Sequence, residues 1–149
     1  MVDNKPPAHL RFEGSAWCNL DIALRSVDQY FRRTIRPLGL TVIEWYIMRA
    51  LFDQDGQHAS ELARAVGRAA TSFTPNLDKL QDKGFIERQP DPGDRRAVRI
   101  YLTESGAKLK KRVQETGKEV DNFIVNLFPP EKYRTFLEVL AAIQTNLPE

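Results

Sequence analysis

Residues 91–103 read DPGDRRAVRIYLT. Pro92 and Gly93 mark a turn, and Val98, Ile100 and Leu102 then alternate with Arg99 and Tyr101, so one face of a strand is apolar and the other polar. A turn running into an alternating strand is half of a hairpin. The other half lies just upstream, where Phe85 to Gln89 follows Gly84. Between the halves the tip holds Asp94, Arg95 and Arg96. Asp94 is expected to brace the Arg96 guanidinium by a charge-assisted bond.

Upstream of the hairpin the apolar spacing is helical. Phe73, Leu77 and Leu80 make a narrow seam on a helix from about residue 70 to Lys83, with its start placed by polar caps at Thr71 or Ser72 and its end by Gly84. A shorter segment, Ser60 to Val66, buries Leu62, Ala63 and Val66 and breaks at Gly67. Two short helices joined by a tight turn make a helix-turn-helix. Before them, Thr41 and Glu44 in T-V-I-E form a capping box for a helix carrying Trp45, Met48, Leu51 and Phe52. Trp17, Leu20, Leu24, Val27, Phe31 and Ile35 step by three and four along a first helix that ends near Pro37 and Gly39.

Downstream, Thr103 and Glu104 favour the start of one long helix, with Leu109, Val113, Thr116, Val120, Phe123 and Leu127 at heptad-like spacing. Pro130 suits the first turn of a last helix carrying Tyr133, Phe136, Leu137 and Leu140. The chain therefore reads as mainly α with a small β-hairpin wing, one domain over residues 1–149. Residues 41–103 form the winged helix-turn-helix lobe, and residues 12–38 and 104–149 form flanking helices. Their stripes are longer than so small a lobe can cover, so a symmetric partner is the simplest place to bury them. A homodimer through the N- and C-terminal helices is expected.

Composition agrees with this and removes other classes. The 149 residues are 42% hydrophobic and 28% charged, ordinary values for a globular domain. No apolar run approaches the roughly 20 residues of a membrane span. The opening MVDNKPPAHLRF has no apolar segment suited to a secretory signal, and the single cysteine, Cys18, forms no internal disulfide. A reducing cytoplasm is the expected location. His9 and His58 are the only histidines, and no nucleophile–base set, metal-ligand cluster or glycine-rich phosphate loop is present, so neither an enzyme, a metal site nor a cofactor is expected. The net charge of +2 hides an uneven distribution: residues 60–112 hold twelve basic and seven acidic side chains, and residues 113–149 hold three and six. The basic excess lies in this middle stretch, and any electrostatic footprint belongs there.

With Phe73 at the centre of the buried face, Thr71, Ser72, Pro75, Asp78, Lys79 and Asp82 point outward, with Thr74 and Asn76 on the flanks. The first turn of that face has small hydrogen-bonding groups and no acid, which lets it approach base edges and phosphates; Asp78 and Asp82 repel phosphate. An ordinary solvated helix face is the competing reading. The neighbouring arginine tip favours the first, because a guanidinium gains from the concentrated negative potential of a narrow minor groove. Arg64, Arg68, Arg88, Arg99, Lys108, Lys110, Lys111 and Arg112 are further candidates for phosphate contacts.

The run from Ser72 to Gly106, SFTPNLDKLQDKGFIERQPDPGDRRAVRIYLTESG, resembles the recognition helix, wing and following helix start of the MarR family of bacterial transcription regulators. D-x-R-R-x-x-x-x-L-T-x-x-G is the specific part, and L-G-L-T-x-x-E-W at residues 38–45 resembles the family's second helix. The resemblance implies a homodimer of winged helix-turn-helix subunits that binds a pseudo-palindromic operator in double-stranded DNA, as a repressor. Carried over position by position, Ser72, Thr74, Pro75, Asn76 and Lys79 would contact the operator, with Arg96 in the minor groove held by Asp94 and Arg95 on a phosphate. Two departures stand out. The family start near Ala69 or Ala70 puts Pro75 beyond the first turn, and Asn76 occupies a position that is more commonly apolar.

The resemblance also implies a small aromatic or phenolic effector that relieves repression from a crevice between the dimer helices and the DNA-binding lobe. Trp17, Tyr30, Trp45, Tyr46, Met48 and Arg49 are the candidates to line it, the rings as apolar walls and Arg49 as an anion partner. Aromatic residues at helical spacing equally suit a plain core. Some relatives sense peroxides through a cysteine near the start of the first helix, where Cys18 stands; an inert half-buried thiol is the competing reading. A third alternative is a winged helix that docks a protein and ignores DNA.

Overall fold

The computed structural model describes residues 10–67 and 70–146, and for residues 70–72 the backbone alone. Helix α1 spans Ala16–Ile35, capped by Ser15, whose Oγ accepts from the Cys18 amide at 3.2 Å. A 3-10 turn at Arg36–Leu38 ends on Gly39 in the left-handed region, φ 69°. Helix α2 (Val42–Asp53) begins with the expected capping box: the Glu44 amide donates to Thr41 Oγ1 at 3.3 Å and Glu44 Oε2 accepts from the Thr41 amide at 2.9 Å.

Strand β1 (Gln57–His58), helix α3 (Ala59–Val66) and helix α4 (Ala70–Asp82) follow. After α4, the Phe85 amide reaches back to the Leu80 carbonyl and the Gly84 amide to that of Gln81, a Schellman closure with Gly84 at φ 76°. Strands β2 (Ile86–Pro90) and β3 (Val98–Leu102) are the two arms of the hairpin, paired antiparallel from Ile86↔Leu102 to Pro90↔Val98. Strand β1 adds to the other edge of β3, giving the order β1-β3-β2. Two residues are too short to show alternation, so this strand has no signature in the sequence.

The long helix expected after Thr103 is divided. Helix α5 (Glu104–Ala107) and helix α6 (Lys110–Val125) meet at Leu109, whose amide bonds the Gly106 carbonyl in a tightened turn. Helix α7 runs from Pro130 to Asn146. The core gathers Ile35 from α1, Ile47, Met48 and Leu51 from α2, Leu62 from α3, Phe73, Leu77 and Leu80 from α4, Ile86 and Ile100 from the sheet and Val113 from α6. Each such side chain removed from water stabilises the fold by about 1.5–3 kcal/mol. That core fixes α4 and the hairpin as one unit. By contrast, α7 has no buried residue, and Trp17, Leu24, Leu127, Leu137 and Val139 are exposed.

Candidate nucleic-acid interface

Helix α4 offers its outward face as the sequence suggests, but from an earlier start. It begins at Ala70, upstream of the Thr71 or Ser72 cap, so Pro75 lies inside the helix. Having no N–H, Pro75 leaves one rung of the ladder unmade. The buried seam of Phe73, Leu77 and Leu80 anchors the helix regardless, which is why propensity loses to packing here. Thr74, Pro75 and Lys79 are exposed and Asn76 is half-buried; the Ser72 side chain lies outside the described residues.

Of the two outward acids on this helix, Asp78 is already paired. Asp78 Oδ1 accepts from the Arg88 guanidinium at 2.6 Å, and Arg88 also donates to Gln81 Oε1 at 2.5 Å. Arg88, expected among the phosphate ligands, thus ties β2 to α4 and masks the charge of Asp78. Arg64 is exposed, whereas Arg68 lies outside the described residues. Lys108 and Lys111 pair with Glu104 and Glu115 along their own helices.

At the wing tip, Asp94 to Ala97 form a turn closed by the Ala97 amide on the Asp94 carbonyl, 2.9 Å. Arg95 and Arg96 occupy its two central positions, both exposed. Asp94 holds Arg96 differently from expectation. Its Oδ1 accepts from the Arg96 backbone amide at 2.9 Å, the local bond that an aspartate at the head of a turn makes readily, rather than from the guanidinium. The carboxylate fixes the backbone of the tip and leaves the Arg96 side chain projecting.

The wing root is organised by Asp91, for which the sequence reading had no role beyond the bend. Asp91 Oδ1 accepts from the Gly93 and Asp94 amides at 2.7 and 3.2 Å, and Oδ2 from Arg99 Nε at 2.6 Å. The Gly93 amide, and after it the Arg99 guanidinium, hold this carboxyl below its ordinary range against the opposing effect of desolvation. Arg99, another expected phosphate ligand, is turned inward and donates in addition to the Gly56 carbonyl at 2.8 Å. His58 joins the same cluster, its Nε2 3.1 Å from Asp91 Oδ2. The D-P-G-D string carried a readable signal for this, an aspartate two residues before a glycine; the bond to an arginine eight residues on is visible only once β3 pairs.

A crevice of about 580 Å³ opens between α1, α2 and α6. Trp45, Tyr46 and Arg49 line it, together with Phe31, Arg25 and Asp121. The other expected lining residues do not reach it. Trp17 is exposed, Met48 belongs to the core, and Tyr30 stacks on Phe123 with ring centroids 4.5 Å apart. Trp45 is held edge-on by Phe31 at 5.0 Å, and its indole N–H donates to Thr116 Oγ1 at 3.0 Å. Gly117 opens the crevice wall, since a Cβ there would lie 3.1 Å from the Trp45 ring. Cys18 is half-buried near the start of α1. No helix among the described residues is long and apolar enough to cross a membrane.

Residues 40–98 match the model of the MarR family. Among solved structures, the chain is similar to the transcriptional repressor CouR bound to a 23-mer DNA duplex, at 24% identity and TM-score 0.79 over 87% of this chain and 92% of that one. It is similar to a transcriptional regulator at 27% identity and TM-score 0.73, over 90% and 98%. It also resembles BpsR of Bordetella bronchiseptica, whose DNA binding is regulated by 6-hydroxynicotinic acid, at 20% identity and TM-score 0.82 over 95% and 99%.

Proposed function

We propose, from the premise that this chain is a MarR-family protein with its family module at residues 40–98, that it is a transcription regulator acting on double-stranded DNA as a homodimer. The carrying observation is the wing tip: two exposed arginines on a turn whose backbone Asp94 fixes, beside the exposed Thr74, Pro75 and Lys79 of α4. Helix α4 enters the major groove with Thr74, Pro75, Asn76 and Lys79, and with Ser72 at its head. The wing lays Arg96 into the minor groove and Arg95 against a phosphate. Two subunits related by a two-fold axis read two half-sites about 34 Å apart, which makes the operator pseudo-palindromic. The exposed apolar residues of α1 and α7 supply the subunit contact. Occupancy of a promoter by such a dimer represses it.

The crevice beneath α1 supplies the release. Its aromatic floor of Trp45 and Tyr46, with Arg49 as a polar partner, suits a small aromatic or phenolic effector. Bound there, between the dimerisation helices and the DNA-binding lobe, the effector favours a dimer geometry in which the two α4 helices no longer match successive grooves. As a regulator bound to bacterial promoters, the protein works in the cytoplasm.

The test uses a labelled duplex selected by the protein from a random-sequence pool. Arg96→Ala is expected to weaken binding by about 1–3 kcal/mol, with its thermal unfolding unchanged. Equal affinity of variant and wild type would take the wing out of the interface. Duplex binding with little salt dependence and no need of Arg96, or none at all, would favour a protein-docking role for the fold.

A further inference from the structure

His58 stands at the junction of β1 and α3, outside the surface assigned to DNA. Its backbone amide donates to Glu61 Oε2 at 2.7 Å, which fixes it as the head of α3. Through β1 it pairs with Arg99 on β3. The ring spans two wing-root atoms: Nδ1 lies 3.2 Å from the Val98 carbonyl oxygen and Nε2 lies 3.1 Å from Asp91 Oδ2. Both of those atoms are acceptors only. An imidazolium donates to both at once, whereas a neutral imidazole donates to one and turns a lone pair toward the other.

Three charged groups stand around His58. They are Asp91 at Nε2, Glu61 at the backbone beneath it, and Arg99, which shares Asp91 Oδ2 at 2.6 Å. Asp91 remains ionised throughout, held by the Gly93 amide and Arg99. Val98 and Asp91 are also the two ends of the wing loop, since the Asp91 amide donates to the Ala97 carbonyl at 2.9 Å. The ring therefore joins the base of the arginine tip to the first helix of the helix-turn-helix, the helix that packs on α4.

We propose that His58 is a positioning residue for the wing: protonated, it ties the wing root to the head of α3 through two hydrogen bonds, and on losing its proton it gives up one of them, so duplex affinity falls as pH rises. This rests on the DNA-binding reading above for its functional consequence, but the structural part can be measured in the free protein. Arg99 keeps its hold on Asp91 at every pH in question, so the wing loosens without detaching. The effect on affinity is accordingly modest, roughly three- to tenfold, the scale of one charge-assisted bond in a partly exposed site.

Two measurements test it between about pH 5.5 and about pH 8, the interval in which an imidazole changes charge. In the free protein, nuclear magnetic resonance should show both His58 ring nitrogens protonated at the acid end, with protection factors of the Asp91 and Ala97 amides falling several-fold toward the basic end. On the selected duplex, wild type and His9→Gln should lose roughly three- to tenfold in affinity over the same range, while His58→Gln should give a flat profile. A His58→Gln protein that keeps the wild-type pH slope, or wild-type wing amides whose protection does not change with pH, would overturn the proposal. Should no duplex be bound at any pH, the DNA reading fails, and the amide protection of the free wild type still decides whether His58 positions the wing.

Discussion

Gly106 shows how a single missing side chain shapes the molecule. A Cβ at this position would stand 2.0 Å from the Phe85 carbonyl oxygen, the atom that accepts from the Thr103 amide at 3.1 Å. Thr103 Oγ1 in turn accepts from the Gly106 amide at 3.1 Å. The T-E-S-G string is thus a cap and a clearance in one: threonine turns the end of β3 into α5, and glycine lets that turn lie against the start of β2. Gly106→Ala is expected to cost about 2–4 kcal/mol in urea unfolding, because backbone must move to admit one methyl group. Asp91 is the other decisive residue. Its carboxyl is depressed in the folded state, so its contribution is present above its unfolded value near 3.8 and is lost as pH falls through the lower folded value. Below about pH 4 the Gly93 amide should lose exchange protection in wild type, and Asp91→Asn should abolish that acid dependence.

The elements were legible in the sequence where their causes are local. The Thr41–Glu44 capping box, the Gly84 closure and the α4 seam are each written within a few residues, and each is found. What sequence reading misses depends on distant partners. Strand β1 exists because β3 offers it an edge. The capping-box glutamate has a second bond of this non-local kind. Glu44 is fully buried, and its Oε2 accepts from Lys83 Nζ at 2.6 Å, while Lys83 also donates to the Gly39 carbonyl at 2.8 Å. The end of α4 is thereby latched to the head of α2 and to the turn leaving α1. Lys83→Met should lower stability by about 2–3 kcal/mol, since it leaves a buried carboxylate without its counter-charge. Lys79→Met, four residues away on the exposed face, should change urea unfolding by less than about 0.5 kcal/mol.

For the whole molecule, the exposure of Trp17, Leu24, Leu127, Leu137 and Val139 carries the argument for a second copy. With no residue of α7 buried, the molecule has apolar area that water penalises and a symmetric partner removes. Sedimentation at micromolar concentration should give twice the 17.1 kDa of one chain. Leu137→Asp should shift the population toward monomer and weaken duplex binding with it, because one subunit spans one half-site. The candidate site shows the same division as the fold. Its projecting residues, Arg95, Arg96, Thr74 and Lys79, follow from turn chemistry and helix periodicity, whereas the brace of Asp91, Arg99 and His58 assembles only when three segments meet at β3.

The most direct measurement of the central claim is the affinity of the wild-type protein for its selected duplex as a function of salt. A dimer laying two helices and two arginine tips on phosphates releases counterions, so affinity should drop by on the order of 10³ between about 50 and 200 mM salt, linearly in the logarithms. An affinity that does not change with salt, or no binding to any duplex at the lowest salt, would contradict the account.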